Sequence, residues 1–236
     1  MTRVEEPVPQ TAAKGEQTRA LIVETALRLF TEKGFDRTTM RAIAADAGVS
    51  VGNAYYYFSS KEHLIQGFYD RITAAHRAAS APILAAEQDF STRLRDVLLA
   101  WVDVAEPYHS FATEFFKNAA DPTSPLSPLS AESAEARELA IALHREVLEG
   151  SPLKVDPELR ADLPQLLWLY HMGVVLFWVH DRSADRATTR MLIRRSAPMV
   201  GRLLQLSRLR VFRSLSREAM QLSRDIGWFP ATGGKT

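Results

Sequence analysis

Cysteine is absent from all 236 residues, which excludes disulfides and thiolate metal sites and suits a reducing compartment. Long apolar runs are also missing. The longest, Leu166 to Val179, is interrupted by His171 and falls short of the roughly 18 to 20 residues that span a bilayer. The opening MTRVEEPVPQ has no apolar core behind a basic start, so no signal peptide is expected there. These absences predict a cytoplasmic protein with no membrane partner. The net charge is only +1, so bulk electrostatics do not advertise a nucleic-acid binder. Nor is there a nucleophile set beside a base, or a group of carboxylates in an apolar setting, and no enzyme is expected. Glu106 and His109 have E-x-x-H spacing, but Pro107 lies between them and the spacing is not repeated. Neither a metal site nor a cofactor is expected.

What is present is helical periodicity. Apolar residues make up 46% of the chain, enough for a sizeable core. Residues 1–14 carry two prolines and no periodicity, and are expected to form a disordered arm. From Glu16, Ala20, Leu21, Val23, Ala26, Leu27 and Phe30 recur at three- and four-residue spacing until Gly34 ends the helix. Thr38 or Thr39 can cap a second helix, Gly48 makes a turn, and Ser50 caps a third helix running to about Phe58. Ser59 and Glu62 have the spacing of a capping box for a fourth. Further helices are predicted near 60–80, 91–105, 108–119, 131–149, 157–181, 185–206 and 208–225. Pro82, the segment 121–130 and Gly150–Pro157 are the expected breaks. Pro164 and Pro198 fall inside two of these helices and should start or kink them. No run of useful length has a strand's period, so the chain is expected to be all-α, with about ten helices.

The most informative stretch is Thr38 to Lys61, TTMRAIAADAGVSVGNAYYYFSSK. Two short helices joined by a tight glycine turn, the second ending in four aromatics, describe a helix-turn-helix. Such a motif lays its second helix in the DNA major groove. Ala44, Ala45 and Ala47 allow close crossing, and Val49 can fill the wedge between the helices. Gly52 gives the second helix a bare face. Tyr55 and Tyr56 can reach phosphates with their hydroxyls, while Tyr57 and Phe58 have the bulk to fix the helix to its domain. Lys61 lies in the first turn of the next helix, where free backbone N–H groups favour an anion. Between Lys14 and Lys61 seven basic residues face five acidic ones. Binding would therefore depend on placed contacts and dimeric avidity.

This span closely resembles the DNA-binding domain of the TetR family of bacterial repressors, over about residues 14–65. The resemblance is carried by Thr18-Arg19, Ala26-Leu27-Arg28-Leu29-Phe30, Gly34-Phe35, Thr38-Thr39, Ile43-Ala44, Ala47-Gly48-Val49-Ser50, Gly52, Tyr55, Tyr57-Phe58 and Ser60-Lys61-Glu62. It implies an all-helical homodimer with an N-terminal reader and a ligand-responsive C-terminal domain. It also implies DNA contacts by Thr39, Arg41, Val51, Asn53, Tyr55, Tyr56 and Lys61. Tyr56 departs from the family, which often has His there, and a hydroxyl then serves where an imidazole would. Asn53, able to pair bidentately with adenine, is the candidate for base readout.

The domain expectation is an arm at 1–14, the helix-turn-helix at 15–60, an effector-binding and dimerisation domain at 61–228 and a flexible tail at 229–236. No motif of comparable specificity follows Leu64. Aromatics are concentrated there, and Trp101, Tyr108, Phe111, Phe115, Trp168, His171 and Met172 are the candidate effector contacts. Aromatics at helical spacing equally serve as core, and His171 can bond within the core or across a dimer seam. Leu163, Leu166, Leu167, Tyr170, Val174, Phe177 and Trp178 give helix 157–181 a broad apolar surface. Leu192, Ile193, Met199, Val200, Leu203 and Leu204 do the same for 185–206, so these two helices are the expected homodimer interface. Arg182, Arg186, Arg190 and Arg194 recur every four residues, a stripe read as a solvated face paired with nearby carboxylates. The functional expectation is a repressor that binds a palindromic operator in duplex DNA and is released by a small apolar or aromatic effector. The competing reading is an architectural or interaction dimer that binds DNA and senses nothing.

Overall fold

The computed structural model describes residues 10–119, 124 and 126–207, and every regular element among them is helical. The expected helix 208–225 and the tail lie outside the described residues. In chain order the helices are α1 (Gln10–Lys33), α2 (Met40–Asp46), α3 (Val51–Tyr57), α4 (Lys61–Ala86) and α5 (Phe90–Ala105), then α6 (His109–Ala119), α7 (Ala134–Glu149), α8 (Pro157–His180) and α9 (Ala187–Leu206). Short 3-10 turns at Glu106–Tyr108 and Ala184–Arg186 precede α6 and α9. The described residues form two compact bodies. One takes the chain up to Thr73 and from Pro107 to Arg137, the other Ala74–Glu106 and the chain from Glu138.

The first body is built around the helix-turn-helix but extends beyond residues 15–60. Ile22, Ala26, Leu29 and Phe30 of α1 share a core with Ile43 and Ala44 of α2, Ala54 of α3 and Phe58. Leu64, Ile65 and Phe68 of α4 and Phe111 and Phe115 of α6 complete it. Phe30 lies 6.1 Å from Phe111, and Phe35 6.3 Å from Phe115, between ring centroids. Gly34 (φ 84°) and Gly48 (φ 67°) adopt the left-handed backbone that the two turns require. Gly48→Ala is expected to lower stability by about 1 kcal/mol, read as a shifted urea midpoint. Thr39 caps α2 by accepting from the Ala42 N–H at 3.2 Å, whereas Thr38 is buried and donates to the Gly34 carbonyl at 2.8 Å.

Two local expectations in this body need correction. The start of α4 is capped by Ser60, whose Oγ accepts from the His63 N–H at 3.4 Å, one residue later than the Ser59 box. The imidazole of His63 also bonds both Ser59 and Ser60, so histidine occupies the position expected for Glu62. Second, α1 begins at Gln10, inside the stretch read as an arm. No proline follows Pro9 there, and Thr11-Ala12-Ala13-Lys14 offers nothing that breaks a helix.

In the second body α5 packs along α9, and α8 against α9. Leu94, Val97, Leu98 and Val102 of α5 are buried with Val147 and Leu148 of α7, Leu163, Leu167, Trp168 and Trp178 of α8, and Ile193 and Ala197 of α9. A Cβ at Gly201 would collide with Ser91 Oγ, so this glycine permits the close approach of α9 to the start of α5. Pro157 opens α8, where its missing N–H is not needed.

Pro82 does not end α4, which runs on to Ala86. The extra turn is held by Arg93, whose Nη1 donates to the carbonyls of Leu84, at 2.8 Å, and Glu87. Arg93 also donates through Nε to Val147 O at 3.0 Å and through Nη2 to Glu146 O at 2.7 Å. One buried guanidinium therefore caps the C-termini of α4 and α7 together. Burial pulls its pKa down, while Glu87 and Glu146 act the other way. Gly150 is part of the same device, since a Cβ there would strike the guanidinium.

The last helix starts at Ala187, later than the expected 185, because Asp185 (φ 50°) and Arg186 (φ 53°) are left-handed. Asp181 fixes the turn. Its carboxylate accepts from the Ser183 N–H (2.8 Å) and Oγ (2.7 Å) and from the Thr189 N–H (2.8 Å) and Oγ1 (2.6 Å). Burial would raise the pKa of this carboxyl, but the hydrogen bonds outweigh it and hold the group well below the usual carboxylate range. Of the arginine stripe, Arg186 pairs with Glu106 at 3.1 Å and Arg190 with Asp103 at 2.7 Å, while Arg182 and Arg194 are exposed.

Candidate nucleic-acid interface

A seven-residue helix has little stability of its own, so the position of α3 is set by what flanks it. Ser50 caps it by accepting from the Asn53 N–H at 3.1 Å. At the turn the Val49 N–H donates to Ala44 O at 3.0 Å, bringing the start of α3 back against α2. Ala54 and Phe58 anchor the inner side, and the Arg19 guanidinium lies 5.1 Å from the centroid of the Phe58 ring. The opposite side is bare. Tyr56 is 81% exposed, Tyr55 50% and Val51 37%, with Gly52 in the open beside them and Asn53 half-buried. A Cβ at Gly52 would meet nothing within 4 Å. Thr39 and Arg41 at the start of α2 are exposed as well.

Lys61 is placed differently. Its Nζ donates to Phe35 O at 2.8 Å and lies 4.4 Å from the centre of the Phe35 ring, so one of its three N–H groups braces the loop after α1. Arg28 is committed to Glu32 and Asp46, and Arg19 to Asp70 at 3.4 Å. Part of the basic surplus in this region thus serves the fold.

The seven candidate effector residues do not fall in one body. Tyr108, Phe111 and Phe115 belong to the first, where Phe111 and Phe115 are core and the Tyr108 hydroxyl donates to Glu24 Oε1 at 3.0 Å. Trp101, Trp168, His171 and Met172 belong to the second, the first three buried and Met172 half-buried. A cleft of about 410 Å³ in that body lies among Asp89, Ser91, Lys154, Gly201 and Gln205, and none of the seven lines it.

Sequence reasoning singled out His171 but missed its surroundings. The His76 ring of α4 lies 5.6 Å away, Trp101 of α5 5.0 Å and His144 of α7 5.4 Å. His76 Nε2 bonds Val97 O at 2.8 Å, and His144 Nδ1 bonds Ala140 O at 2.8 Å. His144 Nε2, both ring nitrogens of His171 and the Ser80 hydroxyl are buried without a hydrogen-bond partner. Burial pushes His76 and His144 down to about 4 and holds His171 well below its ordinary value, with the neighbouring imidazoles adding to the effect on His144 and His171. The available signal was a histidine with apolar flanks on each of three helices. Among the described residues no three His, Asp or Glu side chains are grouped so as to hold a metal ion, and no helix is long and apolar enough to cross a membrane.

These features define a helix-turn-helix protein with a separate helical body. Residues 22–67 match the family model for bacterial regulatory proteins of the tetR family, and residues 93–222 match that for the tetracyclin repressor-like C-terminal domain. The second match alone covers more than half of the chain, which belongs to the tetR family. The regulator TtgR of Pseudomonas putida is 39% identical over 69 residues, 29% of this chain and 33% of the relative. The repressor KstR2 of Mycobacterium tuberculosis is 31% identical over 103 residues, 42% of this chain and 50% of the relative. The matched segments thus span between a third and a half of these relatives. Among solved structures, the TetR regulator of Nitrosomonas europaea superposes with a TM-score of 0.61 at 19% identity, covering 77% of this chain and 96% of its own. The repressor FadR of Thermus thermophilus, solved with lauroyl-CoA, gives 0.54 at 23% identity, covering 76% and 93%.

Proposed function

We propose that this regulator is a repressor that binds a palindromic operator as a homodimer and is released by a small apolar or aromatic effector. The observation that carries the DNA half is the division of α3, with Ala54 and Phe58 holding it from within and Val51, Tyr55 and Tyr56 left uncovered outside. Asn53 reads a base edge from this face, Tyr55 and Tyr56 reach phosphates, and Thr39 and Arg41 add contacts from the start of α2. The Lys61 ammonium supports the loop at Phe35 and has two further N–H groups for a phosphate.

Dimerisation through α8 and α9 is supported by what those helices leave uncovered: Leu176, Phe177, Met191, Met199, Leu203 and Leu206 are all exposed. Leu163, Leu167, Val174, Trp178, Ile193 and Leu204 instead pack within the body. Two recognition helices placed by such a dimer would enter major grooves one helical turn apart, roughly 34–36 Å. The effector would act through α4, which belongs to the first body up to Thr73 and to the second from Ala74. Effector and operator must then weaken each other's binding by the same factor. The reading without an effector draws on the tight burial of Trp101 and Trp168, which are placed as core residues.

The deciding experiment is selection of bound duplexes from a random pool. A palindrome with half-sites about one turn apart is expected, and Asn53→Ala should relax one position of each half-site, at about 1–3 kcal/mol per lost base contact. Tyr55→Phe combined with Lys61→Ala should weaken all sequences alike. Binding without a consensus that vanishes as salt rises would leave only non-specific attachment.

A further inference from the structure

We propose that His144, His171 and Ser80 form a recognition site for an uncharged hydrogen-bonding group, a hydroxyl or ketone oxygen, on the end of an apolar molecule. The inference deepens the effector reading and rests on it. His171 stands where α4, α5, α7 and α8 converge, with His76, Trp101 and His144 around its ring. A neutral imidazole always presents one donor and one acceptor. Both ring nitrogens of His171 are buried without partners, as are His144 Nε2 and the Ser80 hydroxyl, which lies one turn along α4 from His76 on the same buried face. A core that needed only volume would fill such positions with leucine or phenylalanine, and buried polar groups in folded proteins are paired. Four orphaned atoms carried by three helices are unused donors and acceptors that the polar end of a ligand would satisfy.

The chemistry of the group follows from its surroundings. The rings facing His171 are two imidazoles and an indole, with no lysine or arginine among them to balance an anion. Burial keeps the imidazoles neutral, which disfavours a carboxylate and equally an ammonium. A hydroxyl can donate to one ring nitrogen while accepting from another. His144 spends its Nδ1–H on Ala140 O, which leaves Nε2 an acceptor for a hydroxyl, so a ketone oxygen accepts from the His171 N–H or from Ser80.

The test is equilibrium dialysis of the purified full chain against four probes that share one apolar body: 2-methylnaphthalene, 2-naphthol, 2-acetylnaphthalene and 2-naphthoate. The expected result is about tenfold tighter binding of the naphthol or the ketone than of the methyl compound. In His171→Leu that preference should fall to less than about twofold for both, and in His144→Leu for the naphthol. Thermal unfolding of both variants confirms that each is folded at the temperature of dialysis. Equal binding of all the uncharged probes would overturn the proposal, as would tightest binding of the naphthoate or a preference that survives both substitutions. None of these readings involves DNA, so a failure to select an operator would remove the repressor reading without touching this one.

Discussion

Arg93→Met should lower the unfolding free energy by about 3–5 kcal/mol, the cost of removing one partner from a buried charged network. The guanidinium is buried and donates to four carbonyls, those of Leu84 and Glu87 at the end of α4 and of Glu146 and Val147 at the end of α7. Methionine fills much the same volume but removes a donor from each of those carbonyls, of which Glu146 O keeps the Gly150 N–H at 3.1 Å. Lysine is no substitute, since its three N–H groups sit on one atom and cannot reach four acceptors spread over two helix ends. Arg77 is the control. It pairs with Glu146 across an exposed surface, and Arg77→Ala should cost under about 1 kcal/mol. Urea denaturation followed by circular dichroism separates the two cases. Equal small losses would show that the helix ends find other donors, water included.

Acid should undo the second body well before its carboxylates titrate. Buried His76 and His144 have pKa values of about 4, against an ordinary 6.5. Because the folded values are depressed, the unfolded chain binds more protons in this range, and stability falls as pH falls. The contribution of each histidine is intact above pH 6.5 and is lost progressively between 6.5 and about 4. Each histidine weakens folding progressively through that window, and the two together remove a large part of the stability of the second body. His171 is shifted in the same direction by burial and its two imidazole neighbours. Asp181, depressed by its four hydrogen bonds, adds its loss only below the ordinary carboxylate range. Urea midpoints measured from pH 7.5 to 4.5 should therefore fall steeply, and His144→Leu should flatten the slope by about one proton. A flat profile would mean that these imidazoles are hydrated or already charged in the folded protein.

The parts of this protein that could be read from the sequence are those whose causes are local. Thr39, Gly48 and Ser50 each act on residues within five positions along the chain, and together they placed α2, the turn and α3 almost to the residue. On α3, Tyr55 and Tyr56, expected to face phosphates, are exposed, and Phe58, expected to fix the helix to its domain, is buried beside Ala54, which the sequence reading did not single out. Errors arose where a distant residue decides a local matter. Pro82 reads as a break, but Arg93, met only after α4 has ended, holds the turn beyond it. The cap of α4 was misread for a local reason instead, since Ser59 and Ser60 are equivalent candidates until His63, three and four residues on, bonds both. The histidine cluster is the extreme case: His76, His144 and His171 lie on three helices, and no periodicity brings them together. Phe111 and Phe115 look like their aromatic neighbours in sequence, and only packing against Phe30 and Phe35 assigns them to the first body.

The division of labour around α3 also bears on how such a protein can change. Val51, Tyr55 and Tyr56 give no side-chain support to the core, and the cap at Asn53 uses its backbone N–H rather than its amide. Substitutions at these four positions leave the buried anchors Ala54 and Phe58 and the Ser50 hydroxyl untouched. On the proposed reading of this face, a lineage can rewrite what the helix recognises at little cost to folding, and duplicated copies are free to drift toward new DNA targets one residue at a time.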